Sequence, residues 1–305
     1  MIRFIVKRLM WMAATLWIVF TVSFFLMRAA PGGPLDQERQ LDPVVRANLE
    51  KHYHLDEPLP MQYARALASV VRGDLGASMK IKDFTVNEVI AQGFPVSASL
   101  GLFALLFALT LGLTAGIISA ANRKWLLDMV IMTAATIGIA LPVFVLAGVS
   151  LMLFVFVWPI LPAGGWGSLK QLVLPAVCLG APYAAYIARL VRTGMIDVLG
   201  QDYIRTARAK GLPERVIVMR HALKSALLPV VSFLGPATAG ILSGSLIVEQ
   251  IFYIPGVGVH FLRAATQRDY TLAMGMVLLY TLLLCVMNLL VDLAYTLLDP
   301  RVKLQ

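Results

Sequence analysis

The sequence predicts an all-α polytopic membrane protein with six transmembrane helices. Hydrophobic residues make up 59% of the chain and charged residues only 14%, and the mean hydropathy is +0.79. Soluble domains, by contrast, carry about 25% charged residues. The apolar residues lie in runs of about 20 residues or more, long enough for helices that cross a hydrocarbon core of roughly 30 Å. A transmembrane barrel would instead require alternating segments of about ten residues.

Six apolar runs are the predicted spans. They cover approximately residues 9–28, 96–120, 126–158, 170–191, 226–250 and 272–298. The third run is long for one span, and Pro142 within it predicts a kink that neighbouring helices can tolerate in a membrane. The first run follows Arg3, Lys7 and Arg8 in the manner of a signal peptide, but it exceeds the roughly 7–15 residues of a signal's apolar region. We expect it to be retained as a span.

The distribution of positive charge predicts the orientation. With six spans, the regions rich in lysine and arginine all fall on one side of the membrane: the two chain ends, the turn at 122–124 and the segment 189–224. Because such regions favour the cytoplasm, both termini are expected there. The same bias explains the net charge of +9 without a nucleic-acid partner. The loop 29–94, with nine acidic and seven basic residues, is left on the opposite side.

Local signals predict that this external loop is a small helical cap on the outer membrane surface, with a disordered linker as the alternative. Asp42 before Pro43 is typical of an N-cap followed by proline in the first helical position. Apolar residues recur at helical spacing over 60–72, and a capping box is expected at Thr85–Glu88. The residues expected to end the second and third helices are Gly73, Gly93 and Pro95.

The longest polar stretch on the predicted cytoplasmic side lies at 193–225. Asp202 is expected to cap a short helix that Gly211 ends, and Pro213 to begin the next helix. A helix of about eight residues is not stable alone in water, so it must pack on something.

The composition of this short helix suggests how it packs. Ile204, Ala207 and Gly211 form a narrow apolar stripe, and Arg205 and Arg208 are among the basic residues around it. Such a helix suits insertion into a groove on a partner protein. The alternative is a basic loop that rests on anionic lipid headgroups.

The motifs of this region resemble those of a known family. The run Arg205–Leu212, followed by Arg220–Lys224 and Ala226–Pro229, resembles the EAA-loop of binding-protein-dependent ABC importer permeases, in particular the peptide and nickel subfamily. Further motifs extend the resemblance over nearly the whole chain: Tyr53–Leu55, Gly73–Gly76, Gly244–Ser245 with Glu249, Ile254–Gly258, Arg268–Tyr270, Asn288–Tyr295 and Asp299–Arg301. The chain is most similar to the B-type permease of oligopeptide importers.

The sequence departs from the family pattern at one point. The Glu-Ala-Ala of the general loop pattern is replaced by Arg205, Thr206 and Ala207. An acidic contact to an ATPase therefore cannot be transferred to this chain, whereas the glycine and the helix–turn–helix shape can.

The resemblance implies a type I ABC importer permease fold in a bacterial inner membrane. The implied organisation is a first transmembrane helix at 1–28, a periplasmic helical loop at 29–94 and a five-helix core at 95–305 that contains the coupling segment 193–225. The implied partners are a second permease subunit in a heterodimer, two cytoplasmic ATPase subunits that bind ATP and Mg²⁺, a periplasmic substrate-binding protein and membrane lipid. This chain has no phosphate-binding loop, so it is not expected to be an enzyme.

The resemblance also implies which residues carry the function. The residues expected to couple the permease to the ATPases are Asp202, Tyr203, Arg205, Ala207, Arg208, Ala209, Lys210 and Gly211. The implied function is to form half of a peptide translocation path. Nickel and glutathione importers share these motifs and are the alternatives within the family.

The fifth predicted span contains the candidate substrate path or gate. Its members are Gly240, Ser243, Gly244, Ser245 and Glu249. The spacing of the two glycines, which Gly112 and Gly116 share, also suits close helix packing, so both interpretations stay open. Glu249 is expected either at a gate or subunit interface or solvated near the outer surface, and Asp292 in a structural hydrogen bond.

Two other classes of function are compatible with the composition. A proton-coupled secondary transporter would use Glu249 and Asp292 as its relay, and a membrane scaffold would transport nothing. The histidines show no convincing metal-ligand spacing, so no metal site is expected. The glycine-rich stretch 159–170 is expected to be either a re-entrant or scoop-like external loop or an ordinary turn.

Overall fold

The structure, a computed structural model, describes residues 2–30, 32–33, 42–123 and 125–298. Within these residues the only strand-like pairing is an isolated bridge between Ala77 and Thr85. The helices are α1 (Ile2–Ala29), α2 (Pro43–His52), α3 (Leu59–Val71), α4 (Val86–Ala121), α5 (Leu126–Ala140), α6 (Val143–Leu151), α7 (Leu169–Leu199), α8 (Asp202–Ala209), α9 (Glu214–Val216), α10 (Leu223–Ala226), α11 (Leu228–Leu242), α12 (Leu246–Ile251), α13 (Val257–Gln267) and α14 (Tyr270–Leu298). Two π-helical segments, Met152–Val157 and Ile217–Ala222, extend α6 and join α9 to α10.

The predicted all-α membrane fold is confirmed. Within the described ranges, five helical segments can by length and composition cross a membrane: Arg3–Ala29, Val86–Ala121, Leu169–Leu199, Leu228–Ile251 and Tyr270–Ala294. A sixth span results if α5 and the helix Val143–Val157 together count as one.

The third predicted span is not a kinked helix but two helices bent by 106°. Leu141 adopts an extended backbone, and Pro142 is the N-cap of α6. The proline ring disfavours helical geometry at the residue before it, so the helix ends there and a second one starts. The prediction underestimated this effect.

The first of two compact units comprises Met1–Ser97 and Pro255–Leu283. One of its apolar clusters joins Phe20 and Phe24 of α1 to Met274 and Leu278 of α14.

The predicted cap at Asp42 is confirmed, because the Val44 amide donates to its carboxylate at 2.8 Å. The division predicted at 28/29 and 94/95 follows membrane topology and stays a prediction.

The predicted capping box at Thr85 and Glu88 is also confirmed. The Thr85 amide donates to the Glu88 carboxylate at 2.8 Å, and the Glu88 amide donates to the Thr85 hydroxyl at 3.2 Å. The predicted end of this helix at Gly93 and Pro95 is wrong, since α4 continues through both residues to Ala121. The apolar run after Pro95 favours helix strongly enough to absorb a proline.

The second unit comprises Ala98–Ile254 together with the chain from Leu284 onward. Its core surrounds α7. A Cβ atom on Gly112 would lie 2.7 Å from the Ala184 carbonyl oxygen, and one on Gly116 would lie 2.6 Å from the Val191 Cβ. Two helices can approach this closely only where both glycines are present, so the packing interpretation of this glycine pair is confirmed.

Candidate functional site

The short helix of the predicted coupling segment is present as α8, and Gly211 ends it. Gly211 has a φ of +76°, in the left-handed region. Its amide donates to the Arg208 carbonyl at 2.9 Å, and the Leu212 amide donates to the Ala207 carbonyl at 3.3 Å. This pair of bonds is the Schellman arrangement that glycine permits at the end of a helix.

The prediction that Asp202 caps α8 is wrong. The N-cap is Gln201, whose extended backbone directs its carbonyl to the Ile204 amide at 3.1 Å. Asp202 is the first helical residue, and its exposed carboxylate lies 3.4 Å from the Arg205 guanidinium. A negative charge in the first turn still interacts favourably with the helix dipole. Pro213 is likewise an N-cap rather than the first residue of α9.

The apolar stripe of α8 is buried within the chain itself. Ile204 is fully buried and Ala207 nearly so, in a cluster that also contains Met195, Ile217 and Ala222. The expectation that this stripe enters a groove on a partner is therefore wrong for these two residues, because their apolar surface is already covered. These buried contacts, made by α8 and by the residues before and after it, stabilise a helix that is too short to be stable alone in water.

The opposite face of α8 is exposed and basic. The predicted coupling residues Tyr203, Arg205, Arg208, Ala209 and Lys210 are all exposed, with Tyr203 and Arg208 beside the buried stripe and Lys210 directly after α8. The guanidinium of Arg208 donates two hydrogen bonds to Glu214, at 2.6 and 3.2 Å, across the turn that Gly211 makes. These bonds hold the pKa of the Glu214 carboxyl below its usual value. The face available to a partner is thus polar and cationic.

The segment after α8 rests on α7. A Cβ atom on Gly194 of α7 would lie 2.7 Å from the Ala226 carbonyl oxygen of α10. Between α9 and α10 the chain forms the π-helical segment Ile217–Ala222, with Ile217 and Ala222 buried. Such π-helical turns are frequent at functional sites. Within the predicted coupling segment 193–225, the residues after α8 therefore pack against the end of α7.

The predicted substrate path is gathered at a break in the fifth span. Gly244, with a φ of +91°, separates α11 from α12. The Ser243 hydroxyl donates to the Gly240 carbonyl at 3.1 Å, and the Ser245 hydroxyl accepts from the Val248 amide at 3.2 Å. Both serine hydroxyls therefore form hydrogen bonds with backbone groups at the break in the helix. Glu249 is fully buried, so its predicted solvation at the surface is wrong.

The glycine-rich stretch 159–170 is held against the end of α12. The Gly165 amide donates to the Phe252 carbonyl at 2.7 Å. A Cβ atom on Gly164 would lie 2.3 Å from the same oxygen. Sequence reasoning missed this contact, although consecutive glycines are a general signal for close backbone approach.

Sequence reasoning also missed an ion pair beside the coupling segment. Arg192 of α7 donates to Asp128 of α5 through two hydrogen bonds, at 2.7 and 2.8 Å. Neither residue stands in a recognisable motif, and 64 positions separate them, so no local signal joins them.

Two further predictions fall on other parts of the chain. Among the described residues, no group of three or more His, Cys, Asp or Glu side chains is arranged to hold a metal ion. The Asp299–Arg301 motif and Lys124 lie outside the described residues.

Two family descriptions match this sequence. "Binding-protein-dependent transport system inner membrane component" matches residues 112–304, and the corresponding N-terminal component matches residues 1–101. The chain is 46% identical over 307 residues to the oligopeptide transport system permease protein OppB of Escherichia coli (strain K12), covering 99% of this chain and 100% of that protein. It is 45% identical over 304 residues to the dipeptide transport system permease protein DppB of Bacillus subtilis (strain 168), covering 100% and 99%.

A solved structure shows the same fold. A chain of an inward-facing MetNI methionine ABC transporter superposes with a TM-score of 0.57 at 18% identity, covering 69% of this chain and 96% of that chain. A second crystal form of that transporter gives a TM-score of 0.54 at 17% identity, with the same coverage.

Proposed function

Because the chain belongs to the family of binding-protein-dependent transport system inner membrane components, we propose that it is a permease subunit of an ATP-driven peptide importer. The observation that carries this proposal is full-length identity of 45–46% to permeases of both oligopeptide and dipeptide systems. The chain itself forms half of the translocation path, and ATP hydrolysis takes place in other subunits.

The partners follow from this role. A second permease subunit completes the path, two cytoplasmic ATPases bind ATP and Mg²⁺, and a periplasmic protein delivers the peptide. Both termini and the segment 193–225 lie in the cytoplasm, as the positive-inside rule favours. The buried Ile204 anchors α8 to the permease, and the exposed face around Tyr203 and Arg205 contacts an ATPase.

The structure of α8 supports its action as a lever. Its apolar side is continuous with the core around α7, which supports transmission of a displacement into a span. Its cationic side is complementary to an acidic groove on a partner. The break at Gly240–Glu249 supplies a polar part of the path, where Ser243 and Ser245 hydrogen-bond to backbone groups.

Copurification and uptake together test the proposal. The chain is purified from its native membrane, the associated subunits are identified by mass spectrometry, and the complex is reconstituted into vesicles with its binding protein. We expect two ATPases, a second permease and uptake of a radiolabelled tripeptide that requires ATP. Uptake of nickel or glutathione in place of the tripeptide would show that the proposed cargo is wrong.

Two results would contradict the proposal. Uptake that persists without ATP and collapses with an uncoupler would indicate a proton-coupled carrier. Crosslinks from α8 to phospholipid alone, with no ATPase in the preparation, would show that α8 does not couple the permease to an ATPase.

As a matched comparison, Arg205→Glu on α8 should weaken ATPase association, whereas Arg46→Glu on α2, also an exposed helical arginine, should not.

A further inference from the structure

One end of each of three helices, α4, α5 and α7, lies at one carboxylate. Asp128, in the first turn of α5, accepts hydrogen bonds from the Arg192 Nε and Nη2 of α7 at 2.7 and 2.8 Å. Its Oδ1 also accepts from the hydroxyl of Ser119, in the last turn of α4, at 2.5 Å. The Asp128 side chain is 7% exposed, and that of Arg192 is 29% exposed. We refer to Ser119, Asp128 and Arg192 as the clamp.

The clamp connects α5 to the helix that leads into α8. Arg192 lies seven residues before the end of α7, and α8 starts three residues after that end. Met195, in the same last part of α7, shares a buried cluster with Ile204 of α8. A displacement of α8 therefore moves the segment of α7 that holds Arg192.

At their glycines, the backbones of α4 and α7 approach one another more closely than those of α5 and α7 do. Gly112 and Gly116 place the α4 backbone in direct contact with α7. On α5, the corresponding glycine is Gly138, where an added Cβ would be 3.4 Å from the Ala185 Cβ, an ordinary contact. The first turns of α5 carry exposed apolar side chains, including Leu126 and Met129. At that end, the ion pair adds a directional connection to the packing of α5 on α7.

We propose that Arg192 is a positioning residue for energy coupling, which makes α5 follow α7 when the ATPases move α8. A bidentate guanidinium–carboxylate pair fixes direction as well as distance, which a lysine or a purely apolar contact does not. The Ser119 hydroxyl holds the carboxylate in the orientation that accepts both guanidinium bonds. This inference rests on the proposed function, because it requires a moving α8.

The first test measures the coupling ratio, meaning peptides imported per ATP hydrolysed, in the reconstituted complete transporter. Asp128→Asn and Arg192→Gln should each lower the ratio roughly fivefold or more. A factor of about five is the lower end of the range that a coupling free energy between two sites typically produces. Arg65→Gln is the matched control, since Arg65 makes a comparable bidentate pair with Glu57 in the segment 29–94. Ser119→Ala, which removes a single hydrogen bond, should give a smaller loss of the same sign.

The second test separates positioning from stability. The free cysteines Cys178 and Cys285 are replaced by alanine, and spin labels are attached at the exposed positions Met129 of α5 and Arg189 of α7. With an intact clamp, the distance between the labels should be the same without nucleotide and with trapped ATP. With Asp128→Asn, the distance should broaden or shift in the trapped state only.

The outcomes distinguish this inference from the proposed function. If the unmodified protein shows no ATP-dependent uptake, the proposed function fails. If it transports normally and any clamp variant that reaches the membrane keeps both the coupling ratio and the label distance, the inference is overturned. A lower thermal midpoint with an unchanged ratio also overturns it, because the clamp would then be structural only.

Discussion

The Ser78 hydroxyl donates a hydrogen bond of 2.5 Å to the carboxylate of Asp269, across 191 positions of sequence. The same carboxylate accepts from the Lys80 amide at 3.1 Å and from the Leu272 amide at 3.0 Å. Asp269 thus caps α14 and ties the stretch around Ser78 to it. It is almost completely buried, with 1% of its surface exposed.

Replacing Asp269 by alanine should lower the free energy of unfolding by about 2–4 kcal/mol, because a helix cap is lost and buried donors are left without acceptors. The measurement is denaturant or thermal unfolding of the purified protein in detergent. Asp42→Ala is the matched control: it removes an exposed cap of one hydrogen bond, at α2, and should cost about 1 kcal/mol. Equal losses for the two variants would contradict the tethering role of Asp269.

Replacing Gly211 by valine should reduce ATP-coupled uptake while the protein still inserts into the membrane. No atom of the described residues lies within 4 Å of a Cβ added there, so the cost arises from the left-handed backbone and is about 1–3 kcal/mol for a non-glycine residue. That strain is expected to unwind the end of α8. The measurement compares uptake with the amount of protein in the membrane.

Gly73→Val is the control for Gly211, since Gly73 has a φ of +79° and equally open surroundings. Gly73 ends α3, far in sequence from the coupling segment, so the same backbone strain should leave uptake per molecule nearly unchanged. Normal uptake in the Gly211 variant would show that the end of α8 does not transmit force.

Replacing Gly116 by alanine should destabilise the fold by about 1–3 kcal/mol through overpacking against α7. The added methyl group would lie 2.6 Å from the Val191 Cβ, and the α7 backbone cannot withdraw easily. Gly148→Ala in α6 is the control, because in the part of the chain that the structure describes nothing lies within 4 Å of its added Cβ. That variant should be neutral or slightly more stable, since alanine favours helix. Thermal midpoints of both purified variants decide the matter.

Acidification should destabilise the protein through His260 of α13. Burial, with a smaller contribution from Arg263, lowers the pKa of His260 below its usual 6.5, and its Nδ1 is buried with no hydrogen-bond partner among the described residues. At His260 the unfolded chain therefore binds a proton more readily than the folded chain does. The free energy of unfolding has its full value above about pH 6.5 and declines as the pH falls below it.

The measurement for His260 is the thermal midpoint at about pH 8 and about pH 5.5, on either side of the histidine's usual pKa. His260→Gln should reduce the loss of stability on acidification relative to the unmodified protein. Other groups contribute to the slope in both proteins, so the difference between the two isolates His260. Identical slopes would show that His260 has no part in it.

The local features of this fold were predictable from the sequence. The apolar runs, the Asp42 cap, the Thr85–Glu88 box and the glycine at 211 each depend on residues within one or two helical turns. Where local signals competed, prediction failed. Pro95 is tolerated inside α4, whereas Pro142 ends α5, although a proline disfavours helical geometry at the preceding residue in both places.

For the candidate site too, the local features were predictable from the sequence and the long-range contacts were not. The sequence by itself determined that a basic helix with an apolar stripe precedes Gly211, since periodicity and backbone preference are properties of neighbouring residues. Only the tertiary structure decided that Ile204 faces the chain's own core, that Gly165 meets Phe252, and that Arg192 holds Asp128. These contacts join residues far apart in the sequence, and they form only when helices have packed in a particular register, which no local pattern encodes.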